Sequence, residues 1–139
     1  MRRLLIAALA GAVLAGCSTS AVPPSQAVKS TKVFAYQSTP KTPFGTLTVT
    51  RDAGFISSGC DMAVFVNGQL AAKLATKETA TFKIPAGEVI VGAGIVGSGI
   101  CATAAERRER EVSLSEGQHT KYRIFISSEA DVDILPTTL

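Results

Sequence analysis

The strongest constraint on this fold is a series of short runs in which apolar and polar residues alternate. Residues 46–50, for example, read Thr-Leu-Thr-Val-Thr, with β-branched side chains at most positions. An alternation with a period of two places one set of side chains on a buried face, which is typical of a half-buried strand. The predicted strands are residues 46–50, 62–66, 69–74, 79–84, 88–96, 110–114, 119–126 and 132–135.

Turn residues separate these runs. Asn67-Gly68 predicts a type I′ hairpin, because that turn needs two residues that tolerate a positive φ. Pro85-Ala86-Gly87 and Glu116-Gly117 are further turn signals. About seven or eight short strands at a spacing of about 8–12 residues, without an amphipathic helix of ordinary length, predict an all-β antiparallel β-sandwich; a partly open barrel is the alternative. Residues 102–111 remain open between helix, strand and loop.

The first residues have the composition of an export signal. Arg2 and Arg3 are followed by an uninterrupted apolar run over residues 4–14. A positive start, an apolar stretch of about 7–15 residues and a small-residue cleavage site predict a secretory signal peptide. The run is shorter than the roughly 20 residues that cross a bilayer. An ordinary signal peptide, cut elsewhere, is the alternative to the more specific interpretation that follows.

Leu14-Ala15-Gly16-Cys17 resembles the lipobox of bacterial lipoproteins. This resemblance implies that residues 1–16 are removed, that the Cys17 sulfur receives a diacylglyceryl group, and that the new amine is acylated with a fatty acid such as palmitate. Two or more acyl chains give stable membrane attachment. Ser18, rather than an aspartate, fits the sorting pattern for the outer membrane. We therefore expect a lipid-anchored protein on the periplasmic face of that membrane.

Loss of the signal changes the charge balance. The chain holds 14 Lys and Arg against 11 Asp and Glu, but Arg2 and Arg3 lie in the predicted signal, which contains no acid. The mature chain then carries a net charge of about +1, which gives no electrostatic footprint for nucleic acid. The charge run at residues 106–111 alternates in sign. It predicts a solvated, self-paired surface, and the alternative is an arginine patch for an acidic partner.

The three cysteines predict one disulfide. If Cys17 carries lipid, Cys60 and Cys101 remain, and an oxidising periplasm permits them to pair. Two separate buried thiols are the alternative. A metal site is not expected, because His119 is the sole histidine and has no ligand-spaced partner.

Neither a catalytic set nor a cofactor site is predicted. His119 would need a nucleophile or an acid beside it to act as a general base. The stretch from Gly92 to Gly97 matches the spacing G-x-G-x-x-G, but the dinucleotide motif must open a helix within a βαβ unit. Hairpins surround this stretch, so a glycine-rich strand end or a close backbone approach is the better interpretation.

Domain boundaries follow from composition. Residues 1–16 form the predicted cleaved signal, 17–44 the lipidated cysteine with a flexible tether, and 45–139 the β-sandwich domain. The tether is rich in Ser, Thr, Pro, Ala and Lys. Residues 33–36, Val-Phe-Ala-Tyr, are the exception, because two aromatics in a tether indicate a piece docked on the domain or a contact for another protein.

From Arg51 onwards the chain resembles small proteobacterial periplasmic lipoproteins of uncharacterised function and, more loosely, PEGA-like β-sandwich modules. The matching features are Arg51-Asp52-x-Gly54, Gly59-Cys60, Val66-Asn67-Gly68-Gln69 and Ile84-Pro85-Ala86-Gly87-Glu88. Pro-Ala-Gly stands where the PEGA-like pattern has Pro-Gly. The resemblance implies a non-enzymatic binding or scaffolding module of the cell envelope with a protein or cell-wall partner. An inhibitor or immunity-type lipoprotein acting against a cell-wall hydrolase or toxin is the alternative, and an enzyme or ligand carrier would need a polar-lined cavity.

Overall fold

The computed structural model describes residues 17–102 and 106–139, which form two packed β-sheets. The predicted signal peptide, residues 1–16, lies outside the described residues, as do 103–105 in the segment left open above. The strands of the described part are β1 Val28–Lys29, β2 Phe44–Arg51, β3 Asp61–Val66, β4 Gln69–Leu74, β5 Glu78–Pro85, β6 Gly87–Val96, β7 Arg108–Leu114, β8 His119–Ile126 and β9 Val132–Pro136.

The predicted all-β sandwich is confirmed. One sheet has the strand order β1-β5-β2-β8-β9 and the other β4-β3-β6-β7. Most pairings are antiparallel, but β2 runs parallel to β8 and β1 runs parallel to β5. The sequence did not predict these parallel pairs. Alternation reads the same in both chain directions, so it assigns side chains to a face without fixing which way a strand runs.

The core lies between the two sheets and is built by the alternating residues. Leu47 and Val49 of β2 and Met62 and Val64 of β3 belong to this core, and all four side chains are fully buried. Burying one side chain of this size contributes roughly 1.5–3 kcal/mol relative to exposure. The side chains that the alternation places inside therefore contribute substantially to stability.

Local geometry agrees with the turn signals. Asn67 and Gly68 have φ values of 48° and 78°, as a type I′ hairpin requires. The Asn67 side chain accepts a hydrogen bond from the backbone N–H of Ile90 at 2.9 Å, which ties this hairpin to β6. Of the segment left open, residues 102–111, Ala102 is the last residue of the 3₁₀ turn Gly99–Ala102, and the residues from Arg108 onwards belong to the strand β7.

The structure differs from the predicted flexible tether over residues 18–43, which we call the N-terminal arm. The N–H groups of Val28 and Ser30 donate to the carbonyls of Lys77, just before β5, and Thr79, within β5. A little further on, the Phe34 N–H donates to the Ala71 carbonyl of β4 at 2.8 Å. The arm thus bridges the open edges of both sheets on one side of the sandwich.

The physical reason for this docking is edge protection. Apart from the arm, β5 and β4 would each present an unpaired row of backbone groups, which proteins cover or block. Val33, Ala35 and Tyr36 also pack against the core. Residues 33–36 are therefore a docked piece, the first of the two alternatives derived from the sequence.

Charged side chains close the opposite side of the sandwich. Arg110 of β7 donates from Nη2 to both carboxylate oxygens of Asp133 in β9, at 3.0 and 2.8 Å, and from Nε to the Ile134 carbonyl at 2.6 Å. Arg107 pairs with Glu109 at 2.9 Å. Several charges of the run 106–111 are thus engaged in pairs on the protein itself.

Candidate membrane-attachment site

All three cysteines lie at one end of the sandwich, where β2, β6 and β8 finish and β3 begins. We call this region the cysteine end and define it as residues 17–20 with the loops 52–60, 97–102 and 127–131. Cys17 is exposed and unpaired. Cys60 and Cys101 form a disulfide with an S–S distance of 2.03 Å and a Cα–Cα distance of 5.5 Å. The predicted disulfide is confirmed, and the alternative of two separate thiols is excluded.

Thr19, two residues after Cys17, is hydrogen-bonded to the domain. The Thr19 N–H donates to the Ile126 carbonyl at 3.0 Å, and its hydroxyl accepts from the Ile126 N–H at 2.9 Å. The same hydroxyl donates to Asp52 at 2.8 Å. Ser20 then exchanges two backbone hydrogen bonds with Ala53, at 2.8 and 2.9 Å. Thr19 is therefore a buried attachment point directly beside the cysteine.

Asp52 holds this attachment point through a buried ion pair. Its side chain is fully buried, and Arg123 of β8 donates from Nε to Oδ1 at 2.9 Å and from Nη2 to Oδ2. A two-pronged arginine–carboxylate contact of this kind fixes geometry as well as supplying energy. The carboxylate thereby joins three segments, which are the residues after Cys17, the end of β2 and the strand β8.

Arg51, the preceding residue, holds the loop 52–60. It is 1% exposed and donates to the carbonyls of Cys60, Leu74 and Ser57, the last two at 3.0 and 2.6 Å. Burial lowers the pKa of the Arg51 guanidinium, while the nearby carboxylates of Asp61 and Glu78 act in the opposite direction. With the disulfide at Cys60, these bonds restrain the loop from its start to its end.

Gly54 lies at the point where the loop 52–60 packs closely against Thr19. Its φ is +154°, and a Cβ placed there would lie 2.8 Å from Thr19 Cγ2. Gly54→Ala is therefore expected to lower the free energy of unfolding by about 1–3 kcal/mol, since it combines a strained backbone with a clash. Urea unfolding followed by circular dichroism measures this loss.

The matched control is Gly59→Ala in the same loop. Gly59 has no atom within 4 Å of an added Cβ and lacks a left-handed φ. We expect its stability to stay close to that of the wild type. Equal losses in the two variants would contradict a specific contact between Gly54 and Thr19.

The glycine motif allows close packing along β6 and just after it. Gly92 leaves room for the side chain of Arg107, whose guanidinium stacks 4.5 Å from the Phe65 ring centroid. At Gly97, with φ +147°, a Cβ would lie 2.7 Å from Cys101 Cβ. The stretch ends a strand and leads into a short 3₁₀ turn, in agreement with the interpretation as a glycine-rich strand end.

A concave surface lies on the outer face of the five-stranded sheet. This groove of about 560 Å³ is bordered by the N-terminal arm and contains His119. The His119 Nε2 lies 2.9 Å from the hydroxyl of Thr48, which lies 2.9 Å from that of Thr81. The structure thus places a hydroxyl beside His119. Thr48 is only 4% exposed, whereas His119 is exposed, so the buried hydroxyl links neighbouring strands beneath the histidine ring.

Two further observations concern the described part of the chain. Within residues 17–102 and 106–139, no group of three or more His, Cys, Asp or Glu side chains is placed to hold a metal ion. Across the same residues, no helix is long and apolar enough to cross a membrane.

Comparison with known proteins adds no identification. The chain matches no model of a known protein family and no curated protein. The resemblance to PEGA-like lipoproteins therefore stays a prediction.

The sequence did not single out Thr19 or Arg123, and it named Arg51 and Asp52 only within the resemblance. Arg51 nevertheless carries a signal. In the alternation of β2, Arg51 falls on the same inward-facing side as Leu47 and Val49, so the pattern places a charged residue at a core position. A buried charge must find hydrogen-bond partners, and this one finds carbonyls of the loop that it holds. Thr19 and Arg123 carry no comparable signal, because their partner Asp52 is distant in the sequence.

Proposed function

We propose that this chain is a non-enzymatic, lipid-anchored module of the bacterial cell envelope, held by Cys17 on the periplasmic face of the outer membrane. The observation that carries the proposal is the position of Cys17. It is exposed, and Thr19, two residues later, is hydrogen-bonded to Asp52 of the domain. A cut before Cys17 would therefore leave an intact domain with the modified residue accessible beside it.

The distribution of the free surfaces supports the proposed role as a binding or scaffolding module. The core is filled, and the lateral edges are covered by the N-terminal arm on one side and blocked by Arg110 and Asp133 on the other. The turns around Asn67-Gly68 and Glu116-Gly117 lie at the end opposite Cys17. A domain attached by its cysteine end would present these turns to a protein or cell-wall partner in the periplasm.

Lipidation is tested by Cys17→Ser. In the native host we expect the wild type to carry a diacylglyceryl group and an amide-linked acyl chain, and to sediment with membranes. Cys17→Ser is expected to lose the acyl mass and its membrane attachment. Intact-mass measurement of the purified full chain, together with fractionation of the envelope, provides both readings. A wild type of unmodified mass would overturn the proposal.

Ser18→Asp is the matched control for sorting. Acylation at Cys17 should persist in this variant, while the protein moves from the outer to the inner membrane. Density-gradient separation of the two membranes measures this shift. An acylated wild type found only in the inner membrane would contradict the proposed location and leave the lipid anchor intact.

A further inference from the structure

Two apolar side chains are strongly exposed at the cysteine end. Phe55 is 89% exposed and Ile100 is 84% exposed, the highest values among the large apolar side chains of the described residues. The first lies in the loop 52–60 and the second in the loop 97–102. The disulfide between Cys60 and Cys101 joins these two loops. The two side chains thus lie on loops that are cross-linked to each other.

This surface is adjacent to Cys17. Gly54, the residue before Phe55, contacts Thr19 so closely that a Cβ would lie 2.8 Å from its methyl group. Cys17 precedes Thr19 by two residues, which limits their Cα separation to about 7 Å. Any group attached to the Cys17 sulfur is therefore anchored beside the loop that carries Phe55.

The loop presents Phe55 on a fixed backbone. Arg51 binds the Ser57 and Cys60 carbonyls, and the N–H of Ser58 donates to the Phe55 carbonyl at 3.0 Å. A backbone held in this way cannot fold back to bury the phenyl ring. An exposed aromatic on a fixed loop is favourable where an apolar phase lies next to it.

We propose that Phe55 and Ile100 insert into the lipid bilayer that holds the acyl chains of Cys17, so that the domain rests on the membrane by its cysteine end. This inference rests on the proposed lipid anchor. A flexible tether of about 25 residues would let the domain stand roughly 25–30 Å away from the bilayer. The docked arm removes that freedom, because the chain is already fixed at Thr19.

Because Cys17 and Thr19 are only two residues apart, the bilayer is the partner that the exposed side chains would contact. Once the acyl chains are inserted, Cys17 lies at the membrane surface, and the loop beside it lies at the same depth. The loop 127–131 at this end carries Glu129 and Asp131, which anionic lipid headgroups would repel. Apolar insertion thus accounts for the contact better than charge attraction, and it should not depend on anionic lipids.

Single-tryptophan variants test the insertion directly, because the chain contains no tryptophan. The probes are Phe55→Trp and Ile100→Trp in the full acylated chain, purified from membranes, with acylation verified by mass. The proteins are reconstituted into phosphatidylcholine vesicles with and without brominated acyl chains. We expect both tryptophans to show blue-shifted emission and to lose more than half of that emission to the brominated lipid, with little effect of salt.

Phe34→Trp is the matched control. Phe34 is 57% exposed but lies on the N-terminal arm, paired with Ala71 towards the opposite end of β4. Its tryptophan should emit as in water and stay unquenched. Because all three side chains are exposed, the variants should unfold at wild-type urea concentrations, which is checked first.

Each outcome separates the insertion from the anchor. An acylated Phe55→Trp protein whose tryptophan emits as in water and is not quenched overturns the insertion while the lipid anchor stands. Shielding of that tryptophan in native envelopes but not in protein-free vesicles also overturns it, because a protein partner then covers the loop. An unmodified mass at Cys17 overturns the proposed function itself, and the insertion falls with it.

Discussion

Asp52→Ala is expected to lower the free energy of unfolding by about 3 kcal/mol, at the lower end of the range for breaking a buried ion pair. The carboxylate is fully buried, whereas the Arg123 side chain remains 23% exposed and keeps part of its hydration. The variant leaves Arg123 without its acceptor, and the Thr19 hydroxyl loses the partner at 2.8 Å. Urea unfolding at neutral pH measures the loss.

Asp133→Ala is the control for this prediction. Asp133 also pairs with an arginine, at 2.8 Å, but the two side chains are 34% and 44% exposed. Exposed pairs typically contribute about 0–1 kcal/mol, so we expect a small change. A loss in this variant as large as that in Asp52→Ala would show that burial of the carboxylate is not the cause.

Asp52→Ala should also loosen the attachment of residues 18–20 to the domain. Amide hydrogen exchange at Ser20 and Ala53, which bond to each other, is expected to accelerate in folded Asp52→Ala. Exchange in the centre of β2 should change only through the loss of global stability. Unchanged exchange at Ser20 would mean that the backbone bonds of Thr19 suffice without the carboxylate.

The strands and hairpins could be predicted because their signals are local. The spans 69–74 and 119–126 match β4 and β8 at both ends, and the other predicted strands are each contained in an observed one. The alternation of residues 46–50 places Leu47 and Val49 in the core. Periodicity and turn chemistry each act within a few residues, so a single sequence reveals them.

The docked arm and the parallel pair of β2 with β8 could not be predicted in this way. Both depend on contacts between segments far apart in the chain, such as Thr19 with Ile126. The composition of residues 18–43 is that of a linker, and its docking is decided by the open edges of β4 and β5. Tertiary context therefore overrides the compositional signal there.

The candidate site was accessible from the sequence only in part. Cys17 emerged from its motif, and Cys60 with Cys101 from the number of cysteines left over. Phe55 gave no signal, because a single aromatic in a loop of glycine and serine carries no periodicity. Its proposed role depends on where the loop lies relative to Thr19, which only the fold determines.

Removal of the disulfide is the second change with a large expected effect. In the double variant Cys60→Ser/Cys101→Ser, the free energy of unfolding should fall by about 4 kcal/mol. This is the chain-entropy value for a disulfide that closes a loop of this length. The two cysteines are 41 residues apart and join the end of the loop held by Arg51 to the segment after β6. The urea midpoint of the double variant should therefore fall well below that of the oxidised wild type.

A reducing agent supplies the control, because it opens the same bond without a substitution. The urea midpoint of the reduced wild type is expected to lie close to that of the double variant. The midpoint of the double variant itself should not change when the reductant is added. Arg51 continues to hold the Ser57 and Leu74 carbonyls when the bond is open, so the sandwich should remain folded at low urea. Global unfolding of the reduced wild type without urea would show that the disulfide, and not the core between the sheets, sustains the fold.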